Sequence, residues 1–143
     1  MYLTLCSDSS KLFFGDNTVA CFSTQLPQQI CATGDVRYEV GVAEVFLPPL
    51  QRDSTHSPIY LYTDITKPVL VADTAARLLR IITPHGETGH HEFVSVHYIP
   101  VEKQNFSTVT VSFYTKTGER YPFPDGEHPS IVVLHFREVS ANK

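Results

Sequence analysis

The stretch Thr108-Val109-Thr110-Val111-Ser112-Phe113-Tyr114 alternates polar and apolar residues without a break. A period of two suits one backbone conformation, the extended strand. Val109, Val111 and Phe113 share the face that belongs to a core, and Thr108, Thr110, Ser112 and Tyr114 share the other. That second face carries no charge. Two readings stay open for it: a subunit interface, where charge is depleted and Tyr enriched at the centre, or an ordinary solvated sheet face.

Comparable runs recur at residues 2 to 6, 18 to 24, 36 to 47, 59 to 65, 77 to 83, 92 to 99, 108 to 115 and 130 to 137. Short strands at such spacing predict a sandwich or barrel. Between them lie turn signals: Gly15-Asp16-Asn17, Thr33-Gly34-Asp35, Pro48-Pro49, Pro84-His85-Gly86, Lys116-Thr117-Gly118-Glu119 and Pro124-Asp125-Gly126. Within the third run Val36, Tyr38, Val40 and Val42 hold one parity while Ala43, Val45 and Leu47 hold the other, so a bulge is predicted between Gly41 and Glu44. In the fourth, Ile59, Leu61 and Ile65 alternate with Tyr60, Tyr62 and Asp64. The last run, Ile131 to Phe136, is apolar on nearly both faces and predicts a central strand covered on both sides. One segment, Asp73 to Arg80, offers a helical turn with Asp73 as its N-cap. Pro48 to Pro58 reads as a surface loop.

At 143 residues the chain is one domain with room for a substantial core. Only 18% of residues are charged and the net charge is -4, with Lys and Arg scattered, which argues against direct nucleic-acid binding. No apolar run reaches bilayer length, and the start, MYLTLCSDSS, lacks the basic and apolar regions of a signal peptide. A cytosolic or nuclear chain is expected. The three cysteines, Cys6, Cys21 and Cys31, have neither even number nor CxxC spacing, so they read as small buried apolar residues. The sequon Asn105-Phe106-Ser107 reads as a chance match.

His85, His90, His91 and His97 fall close together with Glu87 and Glu92 interspersed. Metal ligands must converge, however, and adjacent His90 and His91 on a strand point to opposite faces, so a solvated loop is the favoured reading and no metal or cofactor is expected. No nucleophile elbow, cysteine-nucleophile signature or phosphate-cradling glycine loop is present. Most carboxylates, such as Asp8, Asp16, Asp35, Asp53 and Asp125, sit in turn-like strings. The residues therefore point away from an enzyme. His97 and His135 lie in predicted strands, where hydrogen-bonded structural histidines are common. Arg77, Arg80 and Arg137 are either interface arginines or solvated strand ends.

Read in order, YLTLCSDSS, FFGDNTVACFSTQLPQQI, YEVGVAEVFLP, IYLYTDI, DTAARLLRIITP, HYIPVEKQNFSTVTVSFYTKTGERYPF and IVVLHFR cover nearly the whole chain. The most specific parts are Asp16-Asn17-Thr18 to Leu26-Pro27, Tyr38 to Glu44, Leu78-Leu79-Arg80-Ile81 and His97-Tyr98-Ile99-Pro100-Val101. On these strings the chain resembles the penton, or minor capsid, protein of Maverick/Polinton-type elements and adintoviruses. It departs from pentons of related viruses in length, as a minimal version without their insertions, or a captured host copy. The resemblance implies a single jelly roll of two antiparallel four-stranded sheets. It implies a homo-oligomer, a pentamer closing icosahedral vertices among major capsid subunits of double-jelly-roll type, and a place in the virion after assembly in the host cytoplasm or nucleus.

The expectation is thus an all-β jelly-roll capsid subunit without catalysis. Thr108, Thr110, Ser112, Tyr114, Tyr60, Tyr62, Arg80 and Arg137 are its candidate interface residues. The rival is a monomeric β-sandwich module that binds a peptide or glycan on a platform of Tyr60, Tyr62 and Tyr114.

Overall fold

The computed structural model describes residues 1–32, 36–49, 57–84, 89–124 and 128–140, and every helix or strand assigned there is a strand. In chain order these are β1 (Tyr2–Cys6), β2 (Cys21–Cys31), β3 (Val36–Phe46), β4 (Ile59–Thr63), β5 (Val69–Val71) and β6 (Thr74–Ala76). They continue with β7 (Leu78–Ile82), β8 (His90–Glu92), β9 (Ile99–Pro100), β10 (Asn105–Tyr114) and β11 (Ile131–Ser140). The turn Thr33-Gly34-Asp35, most of the loop from Pro48 to Pro58, His85 to Glu87, and Asp125-Gly126 lie outside the described residues.

Two antiparallel sheets make the body. The first has the order β1-β11-β3, with β8 and β9 both on the far side of β3; the second has the order β2-β10-β4-β7. Because one edge strand is split, the first sheet has five strands rather than the expected four. The pairs are nested: β4 with β7 innermost, then β3 with β8 and β9, then β2 with β10, and β1 with β11 outermost. Successive strands up to β4 alternate between the sheets, and alternation resumes after β7.

The core is the interleaved inner faces. Phe22, Val109, Val111, Phe113, Ile59, Leu61 and Ile82 come from the second sheet, and Leu5, Val132, Leu134, Phe136, Val40, Val42 and Val45 from the first. The parity switch in β3 is real: Val133 faces Glu44 while Leu134 faces Val42, so Ala43 is the extra residue of a bulge inside the expected window. The bulge lets Val40, Val42 and Val45 all reach the core from one strand.

Several expectations are corrected. Asp73 caps no helix; it sits with Ala72 in the tight turn between β5 and β6, and Leu78 to Ile82 form β7. Pairing of Leu61 and Tyr62 with Arg80 and Leu78 outweighs local helix preference there. The run 92 to 99 is two short strands, because residues 93–98 leave the edge of β3 and pass over its outer face, where Gly41 leaves room. Strand β11 is central, yet only Val132, Leu134 and Phe136 are buried; Ile131, Val133 and His135 on its other face are half-exposed, since nothing equivalent to a second sheet covers them. No cysteine is buried: Cys31 is exposed and Cys6 and Cys21 are half-exposed, because Cys6 and Cys21 fall on the outward parity of their strands.

Candidate functional site

The outward face of the second sheet collects most of the residues singled out above. Strand β10 contributes Thr108, Thr110, Ser112 and Tyr114, all partly exposed, with β2 on one side and β4 on the other. Register places Ser112 beside Tyr62 and Tyr114 beside Tyr60. The Tyr62 and Tyr114 rings meet edge to face with centroids 5.4 Å apart. Burial pushes the Tyr62 hydroxyl pKa up, and the neighbouring Tyr60 and Tyr114 add to the effect, so Tyr62 stays neutral to higher pH than a free tyrosine.

On the other side β2 completes a row of cross-strand polar contacts. Thr110 Oγ1 and Ser23 Oγ are 2.8 Å apart, Ser112 Oγ and Cys21 Sγ 3.4 Å, and Thr108 Oγ1 donates to Gln25 Oε1 at 3.3 Å. Cys21, Ser23 and Gln25 belong to the same face yet stand outside the sequence-based candidates. Their signal is present, since they alternate with Phe22, Thr24 and Leu26, but only tertiary pairing puts that row beside Thr108 to Ser112.

One carboxylate enters this face, and it is occupied. Asp64 Oδ1 accepts the Thr110 backbone N–H at 2.9 Å, and Oδ2 accepts from Lys103 Nζ at 3.0 Å. The charge is thus compensated locally. The result is a half-exposed, hydroxyl-rich, aromatic sheet face whose polar groups are largely engaged with one another.

Arg80 and Arg137 do not join it. Arg80 leans across the edge of the sandwich: its guanidinium lies 3.8 Å from the Phe93 ring centroid and donates to the Ser95 carbonyl at 2.8 Å, and burial lowers its pKa. Arg137 belongs to the first sheet, where it donates to Glu39 Oε1 at 2.9 Å and stacks 3.7 Å from the Tyr98 ring centroid. Both arginines hold the 93–98 segment. Arg77 is no loose strand end either, because it bridges Glu102 and the Thr66 carbonyl.

The histidines are dispersed by the strand geometry. His91 is buried, while neighbouring His90 points outward, stacks on Phe46 at 4.3 Å and lies 3.8 Å from Glu44. His135 Nδ1 is hydrogen-bonded to Tyr98 Oη at 2.7 Å, whereas His97 is exposed and outside any strand. His85 and Glu87 lie outside the described residues, and among the described residues no three His, Cys, Asp or Glu side chains form a group able to hold a metal.

Of the cavities among the described residues, one of about 540 Å³ lies at the end of the sandwich where β2 finishes, lined by Tyr38, Val101 and Val139 with Arg37 and Lys67. Another, of about 350 Å³, lies between the free edges of β7 and β8. Neither opens onto the tyrosine face. No protein-family model matches this chain, and no curated protein matches it.

Proposed function

We propose that this chain is a structural assembly subunit, a penton-like minor capsid protein that closes into a ring, with the outer face of the second sheet covered by sister copies. The observation that carries the reading is the chemistry of that face. Along the paired stretches Cys21 to Gln25, Thr108 to Tyr114 and Tyr60 to Tyr62 its outward residues are Cys, Ser, Gln, Thr and Tyr, and the carboxylate of Asp64 beside them is neutralised by Lys103. Interface centres are depleted of charge and enriched in Tyr in the same way.

The strand order supports the finer fold reading. Nested pairing of β1 with β11, β2 with β10, β3 with β8 and β9, and β4 with β7 is what a long antiparallel hairpin makes when it folds over on itself, and a jelly roll is built that way. Jelly rolls serve as capsid subunits, and head-to-tail contacts between identical copies close into rings when the rotation permits. A homopentamer seated among double-jelly-roll major capsid subunits, within a virion, is the assembly this reading assigns. It assigns the chain no reaction.

The test places charge in the centre of the face. Thr108→Lys with Tyr114→Lys is expected to leave the fold intact, since both side chains are partly exposed, and to abolish rings seen by electron microscopy of the purified protein alone or with the major capsid protein. Rings that persist in the double variant would end this reading.

The Tyr62–Tyr114 contact, with Tyr60 adjacent, favours one second reading, a monomeric module that holds a glycan or peptide on an aromatic platform. Under it the wild-type chain keeps a single-chain mass at all concentrations, and Tyr62→Ala abolishes retention on a glycan array.

A further inference from the structure

The loop between β1 and β2 displays two large apolar side chains to solvent, with Leu12 99% and Phe13 71% exposed. Its backbone is firmly tied. The carbonyl of buried Ser10 accepts the N–H groups of Phe13 at 3.1 Å and Phe14 at 2.9 Å, and Ser10 Oγ accepts the Gln25 N–H at 3.1 Å. Asn17 clamps the loop onto β2, donating to the Ser23 carbonyl at 2.8 Å and accepting its N–H at 2.9 Å. A loop held this way loses little freedom on docking, so its exposed pair is pre-organised for a partner.

Charge and topology on the same chain supply the receptacle. The loop is held against Ser23 and Gln25 in the first half of β2; the cavity of about 540 Å³ lies beyond Cys31 at that strand's end, roughly 20 Å from Gln25 along the strand. Tyr38, Val101 and Val139 give that cavity apolar walls. At its rim Arg37 and Lys67 have no carboxylate partner among the described residues, whereas Lys103 and the lining glutamates Glu39 and Glu102 are in ion pairs. Near the apolar pair, exposed Asp8 and Asp16 have no cationic partner among the described residues. Exposed Lys11 beside Leu12 offsets one of those two carboxylates, so the knob is net negative and the socket is rimmed by unpaired cations, at separate places on one molecule.

We infer that Leu12 and Phe13 of one copy dock into the end cavity of a second copy, with Asp8 and Asp16 facing Arg37 and Lys67 across the contact. The contact is head to tail and separate from the sheet face of the ring reading. A membrane suits the knob less well, because anionic headgroups would meet Asp8 and Asp16 with only Lys11 to offset them, on a chain of net charge -4.

The experiment uses the face-blocked chain carrying Thr108→Lys and Tyr114→Lys, in which self-association reports the end contact alone. Sedimentation equilibrium at low salt is expected to show concentration-dependent association. Leu12→Ser with Phe13→Ser weakens it about tenfold or more. Arg37→Glu with Lys67→Glu weakens it too, and adding Asp8→Lys with Asp16→Lys to that reversed cavity restores it. A face-blocked chain that stays monomeric to millimolar concentration overturns the inference, as does association insensitive to the knob and cavity variants, or reversed charges that fail to rescue. Binding of the wild-type chain to phosphatidylcholine vesicles that disappears with Leu12→Ser and Phe13→Ser overturns it in favour of a lipid surface. The ring reading is decided separately, by wild type against face-blocked protein.

Discussion

Thr63 illustrates how a single side chain can sit in the right strand with the wrong chemistry. It faces inward opposite Val111, and its hydroxyl is buried with no hydrogen-bond partner among the described residues. Such a group forfeits its water without replacement, so Thr63→Val, nearly the same shape, is expected to stabilise the protein by about 1 kcal/mol. Chemical denaturation checks this as a shift in midpoint at constant slope. On the opposite face Tyr62 has a raised pKa, caused first by burial and then by Tyr60 and Tyr114. Raised above its ordinary value of about 10, it favours the folded state while neutral and loses that contribution as pH climbs through the raised value. Absorbance titration of tyrosinate should therefore show a late-ionising component that Tyr62→Phe removes. A titration unchanged by Tyr62→Phe would contradict the assignment.

At the level of elements, two backbone positions govern how strands are connected. A methyl group at Gly41 would run into the Val96 side chain and stand 2.6 Å from the His97 carbonyl oxygen, so the crossing of residues 93–98 over the first sheet depends on the missing side chain. Gly41→Ala is expected to cost about 1–3 kcal/mol, read as a lowered melting temperature. It should also free Tyr98 from His135, visible in the histidine ring resonances. In the β5–β6 turn the strain runs the other way, since Ala72 has φ of 54° in the left-handed region. Ala72→Gly relieves a Cβ clash and should stabilise that hairpin by about 0.5–1 kcal/mol, measured as slower amide exchange from Val69 to Ala76. Such details were hard to read from the chain. The alternation at 108 to 114 and the switch of parity in β3 are local and were legible. The split of 92 to 99 depends on Gly41, some fifty residues away, and local composition made Asp73 to Arg80 resemble a helix until strand pairing claimed it.

For the whole molecule, nesting makes the outermost pair, β1 with β11, join the two ends of the described chain. Central strands β10, β4, β11 and β3 have neighbours on both sides, whereas the β5–β6 hairpin pairs with nothing but itself. Native-state hydrogen exchange is therefore expected to show highest protection in β3, β4, β10 and β11, falling through β1 and β7 to the least in β5–β6. Equal protection in the hairpin and the central strands would mean that it is packed far more tightly than its pairing implies. The same distribution explains the candidate site. Six of the eight sequence-derived residues, from β10 and β4, share one face because their parity was readable, while Arg80 and Arg137 part from it because their positions depend on which sheet each strand joins.

By itself the sequence determined most of the long strands, their inward and outward parity and the uncharged outer row of β10, because side-chain alternation is a property of consecutive residues. Tertiary structure alone decided which rows lie side by side. It brought Cys21, Ser23 and Gln25 next to Thr108 to Ser112, placed Asp64 and Lys103 where their charges cancel, and held the Leu12–Phe13 loop against Ser23 and Gln25, apart from Arg37 and Lys67. The physical reason is that strands pair through backbone groups every residue has, so partner choice is settled by the packing of the whole core rather than by any local signal.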